Sequence, residues 1–301
     1  MISLILIILI ISCLSYRKAF YSSPHRKENI RNIPNSPQYA AGKPIMLRRI
    51  DEIEIIPFEE VWITSYDGLK LFGRYYHLSD SAPLQIQFHG YRGTAFRDFC
   101  GGHRLARELG QNVLLIDQRA HGRSEGKTIC FGIKEKYDCL SWINYAVSRF
   151  GDIPIIISGV SMGGATVLMA SELELPKNVK GIVADCPYSS PAEIIAEECG
   201  KMGIPSKLGM PFVHLGALLF GNLRLKGGAE EAVKNAKVPM LIIHGEDDRF
   251  VPCEMSRNIK AANPDMITLE TFPDAAHGMS FIMDPDRYRY ITKEFFKNCG
   301  I

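Results

Sequence analysis

A serine set between glycines, Gly159-Val160-Ser161-Met162-Gly163, has the spacing G-x-S-x-G. An apolar stretch, residues 153–158, precedes it, and a run of small residues, 162–172, follows. That context predicts a sharp strand-to-helix turn with the serine hydroxyl at its apex. Glycine at 159 and 163 removes side chains that would block so tight a turn. The following helix N-terminus favours negative charge beside Ser161. A serine hydroxyl is a weak nucleophile until a base takes its proton. Of eight histidines, His277 in Ala275-Ala276-His277-Gly278 is the candidate base, because it follows the last predicted strand. His89 and His121 precede glycines in loops and read as shaping backbone. His244 ends an apolar strand and reads as core. His103 and His214 fall on predicted helices, His25 in a linker, and His77 at a solvated edge.

A histidine base needs a carboxylate to hold its tautomer and stabilise its imidazolium. Asp248, in Gly245-Glu246-Asp247-Asp248-Arg249-Phe250-Val251-Pro252, is the choice; Glu246 and Asp247 read as solvated loop charges. Asp185, ending the preceding core strand, is the competing carboxylate. Its other role would be to tie down the Cys186-Pro187 loop. Acyl transfer also needs donors for the oxyanion. The backbone N–H of Met162, directly after the nucleophile, is one candidate. The backbone N–H of Tyr91, in His89-Gly90-Tyr91-Arg92-Gly93, is the other. This set calls for no cofactor and no metal. The eight cysteines include no C-x-x-C pair, so a zinc or thioredoxin-type site has no support.

These groups need a scaffold. Strands are predicted at 59–65, 69–76, 84–88, 112–116, 153–158, 179–184, 238–244 and 267–272. Helices are predicted at 99–109, 134–149, 162–172, 253–262 and 286–298. Short apolar strands alternating with helices imply a mostly parallel sheet with helices on both faces. The opening pair, joined by Tyr66-Asp67-Gly68, implies an antiparallel edge. Residues 191–236 break the alternation with a long apolar helical stretch, which reads as a cap over the site. Gly216 is expected on the cap's substrate-facing wall. Arg92 reads as a solvated charge that could meet an anionic substrate.

These residues resemble the α/β-hydrolase superfamily, from about Glu59 to the C-terminus. Asp117-Gln118-Arg119-Ala120-His121-Gly122-Arg123-Ser124 is similar to a structural loop of that family's esterase and serine-aminopeptidase-like branch. The resemblance implies an α/β fold and a Ser161, Asp248, His277 triad. It also implies hydrolysis of a carboxylic ester or thioester through an acyl-enzyme. H-G-Y-R-G in place of H-G-G-G argues against the hormone-sensitive-lipase-like branch. A peptidase or acyltransferase on the same triad, or a catalytically silent ligand receptor, remains as an alternative. An N-terminal anchor before such a domain resembles membrane-anchored bacterial hydrolases.

The chain has 301 residues, 46% of them apolar and 23% charged, with a formal net charge of +2. That is ordinary for a globular enzyme, and nothing points to nucleic acid. The expected partner is a small-molecule acyl substrate. Residues 1–16 carry no charged side chain and are mostly Ile and Leu. They are expected to attach the protein to a membrane, as an anchor or a signal. Residues 17–58 are expected as linker and lead-in, and 59–301 as the hydrolase domain. Arg17, Lys18, Arg26, Lys27 and Arg31 follow the apolar run. The positive-inside rule therefore favours the cytoplasmic side. Ile10-Ile11-Ser12-Cys13 leaves a secreted or lipoprotein route as the alternative.

Overall fold

The computed structural model describes residues 2–23 and 29–301. Met1, Pro24, His25, Arg26 and Lys27, which the N-terminal expectations invoked, lie outside the described residues.

Helix α1 (Ile2–Ala19) comes first, followed by α2 (Pro37–Ala40) and α3 (Lys43–Glu54). The α/β alternation follows as β1 (Glu59–Thr64), β2 (Lys70–Tyr76), β3 (Leu84–Phe88), α4 (Ala95–Asp98), α5 (Gly102–Glu108) and β4 (Asn112–Ile116). It continues through α6 (Glu135–Phe150), β5 (Ile155–Val160), α7 (Met162–Ala170) and β6 (Val179–Asp185). Next come α8 (Pro191–Lys201), α9 (Ser206–Gly221), α10 (Ala229–Ala232) and β7 (Met240–Gly245). The chain closes with α11 (Cys253–Ala262), β8 (Ile267–Phe272), α12 (Ser280–Met283) and α13 (Pro285–Asn298).

The strands form one eight-stranded sheet in the order β1-β2-β4-β3-β5-β6-β7-β8. β1 pairs antiparallel with β2, and β2 antiparallel with β4. The strands from β4 to β8 run parallel. The central strands β3 and β4 are buried along their whole length. That is why they read as unbroken apolar or mixed runs rather than alternating ones. Crossing from β4 to β3 and on to β5 reverses the direction of strand order, and ligands bind at such a point beyond the carboxyl ends of the strands.

Three stretches differ from the sequence reading. The lead-in at 17–58 is structured: Met46, Ile50 and Ile53, spaced along one face of α3, pack with Tyr76, Phe96 and Phe99. The helix expected at 99–109 is α5 (Gly102–Glu108), which starts three residues later after a break from the short α4 (Ala95–Asp98). The chain between them lies so close under Phe281 that a Cβ on Gly101 would sit 2.2 Å from its ring. Of residues 191–236, expected as a cap, α8 and α9 precede a segment whose Ala229, Ala232 and Val233 belong to the central core. The eight cysteines are all free.

Candidate active site

Ser161 stands between β5 and α7 with φ 56° and ψ −117°. A non-glycine residue held there stores backbone strain, which the packing around it must sustain. Both flanking glycines are obligatory. A Cβ at Gly159 would fall 2.1 Å from Gly163 O, and one at Gly163 would fall 1.8 Å from Phe88 O. The turn is therefore pressed against the end of β3. Ser161 N donates to Asp185 O at 2.8 Å, which ties the turn to β6 as well.

Asp248 and His277 come from the loops after β7 and β8. His277 Nδ1 lies 2.6 Å from Asp248 Oδ2. Asp248 Oδ1 accepts the backbone N–H groups of Phe250 and Val251, each at 2.8 Å. Burial alone would raise the Asp248 pKa. The charge of His277 and hydrogen bonds from His244 and His277 outweigh it and hold the carboxyl well below its usual range. For His277, burial works downward, but the charge and hydrogen bond of Asp248 prevail and its pKa is raised. Asp185, the competing carboxylate, instead accepts a hydrogen bond from Tyr288 OH at 3.1 Å. The other face of His277 looks at Cys186, with Sγ 3.8 Å from Nε2. No hydrogen bond joins Ser161 Oγ to His277 among the described residues. Catalytic hydrogen bonds of this kind commonly tighten only when a substrate closes the site.

The loop after β3 runs against the nucleophile: a Cβ at Gly90 would lie 3.2 Å from Ser161 Cβ. Amides on either side of Tyr91 are anchored. Gly90 N donates to Asp98 Oδ2 at 2.8 Å, and Arg92 N donates to His121 Nε2 at 3.0 Å. Met162 opens α7, so its N–H lies in the first helical turn, beyond the reach of any intrahelical carbonyl. His89 and His121 hold backbone, as their loops implied. His89 Nε2 accepts Gln118 N at 3.0 Å, and burial keeps its pKa low, as an acceptor nitrogen requires.

Ile194 and Ile195 of α8 and Val213 of α9 share one apolar cluster with Met162, Tyr188 and Val251, and Tyr91 packs against it. Gly216 is not on the expected substrate-facing wall: a Cβ there would lie 2.2 Å from Ser12 O of α1. Arg92 is half-buried, and its guanidinium donates to Lys18 O and Tyr21 O at 2.9 and 3.1 Å. A cavity of about 1130 Å³ opens beside the loop, lined by Arg92, Thr94, His121 and Arg123; Ser161 and His277 are not on its wall.

Residues 86–201 match the family model described as the alpha/beta hydrolase fold. The structure of the Pyrococcus furiosus esterase Pf2001 superposes with a TM-score of 0.67. That match covers 92% of this chain and 98% of the other, at 23% identity. The chain has the α/β-hydrolase fold. Among proteins similar to this chain, the uncharacterized protein YqkD of Bacillus subtilis is 28% identical over 249 residues, covering 80% of this chain and 81% of YqkD. The lysophosphatidylserine lipase ABHD12 of Macaca fascicularis is 26% identical over 185 residues, 60% of this chain. That match spans about half of the lipase, 46% of its length. The monoacylglycerol lipase of Mycolicibacterium smegmatis is 26% identical over 236 residues, covering 66% of this chain and 82% of the lipase.

Two side chains bear on the candidate site without having been singled out for it. Asp98 holds the Gly90 amide, and no local pattern marks it. His244 read as core, and it is fully buried, but its Nε2 also lies 3.2 Å from Asp248 Oδ2. The same Nε2 lies 3.0 Å from Val251 O, and its Nδ1 pairs with Ser256 Oγ at 2.6 Å. The position of His244 four residues before Asp248 was the available signal.

Proposed function

We propose that the chain is a serine hydrolase that cleaves a carboxylic ester or thioester through an acyl-enzyme. Ser161 Oγ attacks the acyl carbon while His277 Nε2 takes its proton. Asp248 keeps the His277 proton on Nδ1 and stabilises the imidazolium as it forms. The Met162 and Tyr91 amides receive the oxyanion. His277 then returns its proton to the leaving oxygen or sulfur, and water reverses the sequence to free the acid. The observation that carries this reading is the 2.6 Å contact between His277 Nδ1 and an otherwise saturated Asp248 carboxylate, beside a serine held at positive φ.

The apolar cap cluster favours a substrate with a hydrocarbon acyl chain. Two relatives carry names that specify single-acyl lipids, lysophosphatidylserine and monoacylglycerol. A monoacyl glycerolipid is therefore the proposed substrate class. We also assign the protein to a membrane through its N-terminal segment, with the catalytic domain on the cytoplasmic side, from the basic residues after the apolar run. Two experiments test the catalytic reading. A fluorophosphonate probe should label Ser161, and p-nitrophenyl esters of increasing acyl length should be hydrolysed with a preference for longer chains. Absence of labelling on folded protein refutes it.

A further inference from the structure

Helix α1 has two different sides. Ile8, Ser12, Tyr16 and Phe20 recur every fourth residue, and the last three are buried. Away from that stripe, Leu4, Ile5, Leu6, Ile7, Ile10 and Leu14 are between 50% and 62% exposed. The buried stripe lies on α9. At the crossing, Ser12 O approaches Gly216 too closely for any side chain there, and the Tyr16 and Phe220 rings meet at 5.9 Å. α9 in turn leaves Leu218, Leu219 and Phe220 about half exposed. Two helices packed on each other thus present their unburied apolar side chains on the outside of the cap. So much exposed apolar surface marks an interaction site.

We propose that α1 and the outer face of α9 enter one leaflet of a membrane with anionic headgroups, and do not cross it. Charge and length choose this occupant. Neither helix contains an acidic residue. Arg17 and Lys18 close α1, and exposed Arg224 and Lys226 follow α9. Apolar residues with basic residues at the rim fit an anionic lipid surface. The part of α1 that precedes its close approach to Gly216 at Ser12, residues 2–11, rises about 15 Å, half of a hydrocarbon core of about 30 Å. Among the described residues no helix is long and apolar enough to cross a membrane.

The rest of α1 cannot swing free to lengthen the insertion, because the catalytic domain holds its end. Tyr16 OH bonds Thr128 Oγ1 at 2.7 Å, and Tyr91 OH donates to Ala19 O at 2.8 Å. Arg92 donates to Lys18 O and Tyr21 O. Tyr91 and Arg92 belong to the oxyanion loop, so the lipid-facing element is joined directly to the catalytic centre. A lipid leaving the leaflet would meet the cap and that loop first. This inference rests on the proposed reading of the site as an ester hydrolase for lipids, but its test does not.

The full chain is mixed with vesicles of phosphatidylcholine, with and without phosphatidylglycerol, and floated. Binding is expected to both and at least tenfold stronger with phosphatidylglycerol, with that excess lost at high salt. The Leu218→Ser/Leu219→Ser variant should bind at least tenfold more weakly, while its hydrolysis of a soluble short-chain ester is unchanged. Depth is read with Ile7→Trp and Leu219→Trp and lipids brominated at different chain positions. Shallow bromines should quench both. Ile7→Trp quenched only from the bilayer centre, with Leu219→Trp unquenched, overturns the proposal in favour of a spanning helix. Self-association without vesicle binding overturns it in favour of a second copy of the chain. Loss of ester hydrolysis with flotation intact would count against the catalytic reading alone.

Discussion

His277 Nδ1 and His244 Nε2 converge on one oxygen of Asp248, at 2.6 and 3.2 Å. Two backbone amides occupy the other oxygen. The carboxylate is thus buried but fully supplied with donors, the condition under which a buried charge stays ionised. Its orientation is fixed before any substrate arrives, and it fixes the tautomer of His277 in turn.

Asp248→Asn should leave the fold intact and lower kcat by about 10⁴, the loss such a change causes in a serine protease. The amide would impose the wrong His277 tautomer. Steady-state kinetics and a circular-dichroism melt on the same preparation check this; wild-type turnover would remove Asp248 from the mechanism.

His277 must be neutral to accept the Ser161 proton. Burial lowers its pKa, but the Asp248 charge and hydrogen bond win and raise it. Activity should therefore be absent at acid pH and rise with pH, with an inflection above the ordinary histidine value of about 6.5. A kcat/KM profile for a neutral ester decides this, and an inflection below that value contradicts it.

Burial raises Asp185 to about 6, against the hydrogen bond from Tyr288. A carboxyl whose folded-state pKa exceeds its unfolded one favours folding most when protonated. Its contribution is full below the unfolded value of about 4 and is lost as pH rises through the folded value, for a total of about 3 kcal/mol. Asp185→Asn should remove that slope, because the amide oxygen can still accept from Tyr288. Reading Asp185 as a loop tie alone would have Asn cost about 1–3 kcal/mol. Urea midpoints of both proteins at about pH 4 and about pH 8 distinguish the two; a wild-type-like slope in the variant is the contrary result.

Gly216→Leu should destabilise the protein by about 1–3 kcal/mol by forcing α1 and α9 apart. The ratio of long-chain to short-chain ester turnover should hold, since the residue faces Ser12 and not the pocket. A shifted ratio with an unchanged melting temperature would return Gly216 to the substrate wall.

Ser161→Ala should abolish fluorophosphonate labelling and nearly all hydrolysis while leaving the melting temperature close to wild type. The Cβ and its positive φ are kept, so only the hydroxyl is lost. Labelling that persists at wild-type level would assign the nucleophile elsewhere.

The parallel sheet, its antiparallel edge and the position of the serine turn were legible in the chain alone. Each is written over a few neighbouring residues: an apolar run for a buried strand, glycines at 159 and 163 for the turn. His277 could be singled out because the end of the last strand is itself a local feature. Asp248 could be preferred to Asp185 because its loop, with Gly245 before it and Pro252 after it, can carry a carboxylate outward, but both residues end core strands and no local feature shows where that loop meets His277. Packing of the β7 and β8 loops against each other decides it, and the same packing makes His244 a neighbour of Asp248. α3 was hidden in a proline-containing stretch, since its apolar face has meaning only once Tyr76, Phe96 and Phe99 are beside it. The N-terminal run read as an anchor on composition. That its second half seats on α9 through Gly216 and holds Tyr91 and Arg92 depends on contacts between residues about 70 to 200 positions apart, which only the folded chain brings together.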